Sequence, residues 1–214
     1  MTDTQHLFLH GSIAKALLKL GIPIILINIL QSAYQLTDAF WVGRLGADQV
    51  AAVSVSMPVT FLVIAIGSGL AMAGAILSAQ YMGAGLQDKV NHVAAQTMLM
   101  VTVTATVLGL IGYFLSPYFL VLLGVEQAVY GDALKFMHVS FIGVVFVFIY
   151  AMFQALMRGI GQTKIPLIIV SGTVLLNFAL DPLLIFGWGR FSGFGVMGAA
   201  LATLITQSLA ALIG

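Results

Sequence analysis

Two carboxylates stand well inside apolar runs of this chain, Asp38 and Asp181. An acid inside hydrocarbon is costly, so each must face protein or a water-filled cavity, and each marks a place where an ion or a proton is handled. Asp38 closes a polar stripe on Gly21–Trp41, GIPIILINILQSAYQLTDAFW. On a helix turning 100° per residue, Asn28, Gln31, Gln35 and Asp38 fall within about 80° of one another, and Tyr34 flanks them. Asn177 precedes Asp181 on the same helix face, one turn deeper. Counted from Gly21 and Ile165 at about 1.5 Å per residue, both acids lie roughly 25 Å along their helices. Thr203, in an apolar run of opposite direction, reaches a comparable level. Asp38, Asn177, Asp181 and Thr203 offer oxygen ligands and one amide. That set suits a hard cation such as Na+, or a shared proton, and not zinc or copper.

Two prolines bear on how such a site would move. Pro182 follows Asp181 and supplies no N–H to the carbonyl of Phe178, bending its helix there; Pro23 does the same to Lys19 if the first helix starts before it. Both are candidate hinges, although Pro23 fits the first turn of a helix equally well. Asp38 has a structural alternative, pairing with Arg44, and Asp181 has one in bonding to neighbouring backbone. Tyr34, Gln35, Gln31 and Gln154 are candidates for a substrate cavity. Gln154 and Gln80 sit near helix ends, where solvation competes with that role. Asn28 lies deeper than the acids, and Gln31 overlaps their level only in part, so packing against neighbouring helices competes there. His92 and His138 lack an acidic or His partner at metal-ligand spacing and are read as interfacial.

These residues need long apolar elements to hold them. The 214-residue chain is 61% hydrophobic and 7% charged, with a mean hydropathy of +1.11. Soluble domains carry about 25% charged residues, so lipid must cover much of this surface. A net charge of +1 gives no basis for nucleic-acid binding, and the absence of cysteine removes disulfides and thiolate metal sites. The N-terminal stretch lacks a small-residue cleavage site after a short apolar core, so a cleaved signal peptide is not expected. Six apolar runs, about 14–41, 49–79, 93–123, 133–157, 165–188 and 194–213, each approach or exceed the roughly 20 residues that a spanning helix needs. Membrane β-strands would be half as long and alternate in polarity. The predicted fold is an all-α membrane protein, a six-transmembrane-helix bundle with antiparallel sequence neighbours.

Placing the N-terminus in the cytoplasm puts Lys15, Lys19, Lys89, Arg158 and Lys164 inside, against Arg44, Lys135 and Arg190 outside. That is the positive-inside bias, and Trp41 and Trp188 then both mark outer ends. Both termini are expected in the cytoplasm of a cell that carries the protein in its plasma or inner membrane. Clusters such as Gly67-Ser68-Gly69, Ala71–Ala75 and Gly195–Ala200 let helix backbones approach closely, mainly as packing.

With these residues in view, the chain resembles the multidrug and toxic compound extrusion (MATE) family. The resemblance rests on IPIILINILQSAYQLTDAFWVGRLG, AQYMGAGLQDKVNHVAAQ, FQALMRGIGQTKIP, and NFALDPLLIFG followed by GVMGAALATLITQ, in that order. It implies one lobe, the N-terminal one, of a twelve-helix transporter whose two lobes alternate access around a central cleft. The pattern is similar to the DinF-like branch, in which a first-helix acid and a fifth-helix Asn and Asp line the N-lobe cavity. Asp38, Asn177 and Asp181 match those positions, with Tyr34 and Thr203 as neighbours, and Pro23 matches the first-helix proline. The implied partners are the bilayer, amphipathic and mainly cationic small molecules, and a second six-helix lobe. Since half a cleft cannot alternate access, that lobe is expected either as a missing C-terminal half or as a second copy of this chain.

The expected function is H+- or Na+-coupled export of drugs and toxins, with no cofactor beyond the coupling ion, and the oxygen set serves either ion. An alternative from the wider superfamily is a lipid-linked saccharide flippase. Its anionic cargo calls for several cavity Arg or Lys, whereas the basic residues here lie almost entirely at helix ends. An intramembrane aspartyl protease would use both acids as general acid and base. No Gly-x-Gly-Asp element, HExxH or GxSxG occurs, so an enzyme is not expected.

Overall fold

The computed structural model describes residues 13–189 and 191–214. Six helices dominate: α1 (Ile13–Gly43), α2 (Ala47–Gly83), α3 (Gln87–Leu122), α4 (Gln127–Gly159), α5 (Lys164–Phe186) and α6 (Val196–Ile213). All six contain stretches long and apolar enough to cross a membrane. The sequence-based bounds shift by a few residues. The largest changes are at the starts of α3, where Gln87, Asp88 and Lys89 form a polar first turn, and of α4, which begins at Gln127. Arg190, the side chain of Lys15 and residues 1–12, which entered the orientation and signal-peptide readings, lie outside the described residues.

The first four links are three or four residues long, so successive helices are antiparallel. Ile13 and Gly214 therefore fall at one end of the bundle, here called the terminal end, and Trp41 falls at the other. Two links at the terminal end turn on left-handed glycines, Gly85 at φ 73° and Gly161 at φ 78°. Each closes its helix with a paired motif: Leu86 N–H donates to Tyr81 and Gly85 N–H to Met82, while Gln162 N–H donates to Met157 and Gly161 N–H to Arg158. The fifth link is longer and contains a feature the periodicity did not predict. Gly187–Trp188 and Phe191–Ser192 pair as a short antiparallel ribbon, which ends α5 at Phe186.

The packing centres on α4, which lies against α2, α3 and α6. Glycines on the neighbours accept its large side chains. A Cβ on Gly67 would stand 2.6 Å from the Phe148 ring, and Gly112 and Gly74 receive Phe141 and Met152 in the same way. The small-residue clusters on α2 are thus packing surfaces. From this core α6 carries α5, and α5 carries α1. Only 6% of the apolar stretch of α1 is buried against the rest of the chain, against 56% for α4. Pro23 lies inside α1, ten residues beyond Ile13, which removes the first-turn alternative.

Candidate ion-coupling site

The site forms where α1, α5 and α6 meet, toward the Trp41 end. Asp38 and Asp181 each stand five residues before the end of their helices, Gly43 and Phe186, so the shared depth read from the sequence is present. Helix α1 is held against α5 here by aromatic contacts: the Trp41 ring lies edge-on to Phe178 at 6.5 Å and to Phe186 at 6.1 Å. Trp41, two residues before the end of α1, thus packs on α5, whereas Trp188 is exposed.

Asn177 and Asp181 are both fully buried. Asn177 Nδ2 donates to Asp181 Oδ1 at 2.9 Å, one helical turn apart. The partner of Asp181 is thus a side chain and not neighbouring backbone. The Asp38–Arg44 pairing is absent as well. The Arg44 guanidinium lies over the Phe40 ring at 4.7 Å and the Trp41 ring at 5.4 Å, and the ion pair among the described residues is Lys135–Asp132. Asp38 acts electrostatically on Asp181, and both acids act on the Tyr34 hydroxyl. That hydroxyl donates to Thr203 Oγ1 at 3.1 Å and lies 3.0 Å from Thr206 Oγ1, tying α1 to α6.

Three buried acceptors in this cluster have no hydrogen-bond partner: Asp38 Oδ1, Asn177 Oδ1 and Asp181 Oδ2. A buried oxygen left unmatched costs roughly 1–3 kcal/mol, more if charged. All three lack a donor or a cation, and such an oxygen set fits a proton or a hard cation such as Na+.

The remaining candidates divide. Gln35 stays exposed on α1, outside the hydrogen-bonded cluster. Gln31 and Gln154 meet, but elsewhere, in a cavity toward the terminal end that Asn28 also lines. Asn28 thus borders open space and does not pack into a neighbour. Pro182 directly follows the buried Asp181 and places a backbone interruption at the site. Thr206 was missed; its sequence signal is a second hydroxyl three residues after Thr203, on the same face of α6.

A family model described as MatE matches residues 23–183, most of the chain. The chain belongs to the MatE family. Among relatives of this MatE chain, the probable multidrug resistance protein YoeA of Bacillus subtilis (strain 168) is 33% identical over 86% of the chain and 40% of its own length. A protein named FAD transporter from Shewanella oneidensis is 27% identical over 96% of the chain and 46% of its own length. A solved outward-facing structure of a multidrug resistance MATE family transporter superposes with a TM-score of 0.91 at 26% identity, covering all of this MatE chain and 46% of that chain. The MatE chain therefore spans less than half the length of these relatives, as one six-helix lobe of a multi-pass membrane protein.

Proposed function

We propose that this MatE chain forms one half of a cation-coupled exporter of amphipathic, mainly cationic compounds. The observation that carries the reading is the set of three unpartnered buried acceptors on Asp38, Asn177 and Asp181. Two acids in a poorly hydrated wall repel each other when both are charged, and they titrate as a pair. A proton or Na+ held there, with Thr203 supplying a further oxygen, relieves that repulsion. A cationic cargo attracted to the same acids competes with it. Coupling follows if ion and cargo favour different arrangements of the bundle.

The least packed helix carries the acid and the proline, so α1 is the element that would change shape, bending at Pro23. Tyr34 reports the change to α6 through its threonine contacts, and Gln35 faces the cargo. Alternation requires a second six-helix lobe across the open face of α1 and α2, in the same chain or in a second copy. The protein would sit in the cell membrane with both termini in the cytoplasm.

The test is efflux of a cationic dye from cells expressing the paired lobes with Asp38→Asn or Asp181→Asn. The expected result is loss of ion-dependent efflux at unchanged protein level, with the coupling between ion and dye binding weakened by about 5–150-fold. Unimpaired, still ion-dependent efflux in both variants removes these acids from the mechanism.

A further inference from the structure

A second polar cavity, of about 460 Å³, opens between α1, α2, α4 and α6 toward the terminal end and shares no lining residue with the ion-coupling cluster. Its polar lining is Asn28, Gln31, Ser68, Tyr150, Gln154, Arg158 and Gln207. No carboxylate is among them, so the only formal charge in the cavity is a guanidinium.

A glutamine near a helix end is often solvated, but Gln154 is only 4% exposed. Arg158 is itself exposed, and its Nη1 turns back one turn to donate to Gln154 Oε1 at 3.4 Å, which holds the guanidinium at the mouth of the cavity.

The hydrogen-bonding inventory points to one ligand class. A guanidinium carries five N–H donors and no acceptor. Among the described residues Arg158 makes that single side-chain bond and no ion pair. Among the described residues Asn28, Gln31 and Gln207 make no side-chain hydrogen bond to protein, so their amides remain available at the cavity lining. Among the described residues the surrounding end of the bundle is basic: Lys19, Lys89, Arg158 and Lys164 stand there against Asp88. Ile24, Ala71 and Val147 provide an apolar wall beside the polar groups. A cluster of donors around a forked cation, next to apolar surface, complements an oxyanion joined to an apolar portion.

We infer that this cavity is an anion-binding site for amphipathic phosphates or carboxylates, held by Arg158 and the amides of Gln31, Asn28 and Gln207. Such a group reaches it either as a diffusible compound or as the headgroup of an anionic phospholipid. The inference does not rest on ion coupling at Asp38 and Asp181, and it can hold where that reading fails.

The test uses the purified chain in phosphatidylcholine nanodiscs and radiolabelled hexyl phosphate, with binding read by equilibrium dialysis. Saturable binding is expected, and Arg158→Gln weakens it at least about tenfold, as loss of a charged hydrogen-bonding partner does. Arg158→Lys keeps part of the affinity, because an ammonium retains the charge without the fork. Arg44→Gln, which removes the same charge at the opposite end, binds like the unmodified chain. Displacement on moving to discs containing phosphatidylglycerol identifies the lipid headgroup as occupant; displacement by inorganic phosphate without an effect of phosphatidylglycerol identifies a diffusible oxyanion. Unchanged binding in Arg158→Gln, or equally tight binding of hexyltrimethylammonium, overturns the inference. If Arg158→Gln does not purify folded, Gln31→Leu combined with Gln207→Leu carries the same decision, and undiminished binding there is equally fatal.

Discussion

Helices α1 and α4 are nearly the same length, 31 and 33 residues, and equally apolar to the eye, yet they play opposite parts. The middle of α4 is locked on three sides, with Phe141, Phe148 and Met152 fitted against glycines of its neighbours. Helix α1 leans chiefly on α5 and leaves a row of large apolar side chains, Leu18, Ile22, Ile25 and Ile29, exposed to surroundings outside the chain. Chemistry follows the looser helix: Asp38, Tyr34 and Pro23 all lie on α1. Low local packing is where a small free-energy input from a bound ion can change shape, while a close-packed core resists.

Three substitutions test this contrast, by thermal unfolding of the purified chain in micelles. Phe148→Ala, in the glycine-lined core of α4, is expected to destabilise by about 3–5 kcal/mol. Tyr34→Phe removes the hydroxyl shared with Thr203 and Thr206 and is expected to cost about 0.5–1.5 kcal/mol. It should also weaken the ion-dependent difference between α1 positions in a spin-label distance measurement between α1 and α6. Ile29→Ala, on the open face of α1, is expected to stay within about 0.5 kcal/mol of the unmodified chain. A cost at Ile29 equal to that at Phe148 would mean that α1 is as firmly packed as α4, and the contrast would fail.

Much of this is legible in the sequence. Apolar runs long enough to span a bilayer announce themselves by length, and the two acids stand out because hydrocarbon penalises them so heavily. Their common depth followed from counting residues along antiparallel helices. What the sequence did not reveal were contacts decided by which helix faces which. Gln31, Gln154 and Gln207 come from three helices, and only the packing of α1, α4 and α6 brings them around one cavity. Trp41 stands near a helix end, and only the packing of α1 on α5 sets its ring edge-on to Phe178 and Phe186. Arg44 was free to reach Asp38 by spacing, yet the two neighbouring aromatic faces hold it elsewhere.

The anchoring of α1 has a mechanical consequence. Trp41 pins one end to α5, and Ile27, only 1% exposed, sets a second pin against Tyr150, Phe153 and Ile169. Pro23 lies one turn beyond that second pin, on the side toward Ile13. The segment from Pro23 to Ile13 is then a lever arm of about 15 Å, and a 20° bend at its fulcrum carries the tip about 5 Å. The part of α1 between the two pins, which holds Tyr34 and Asp38, would move far less than the tip, so a small shift at those residues would be read out as a large one at the arm.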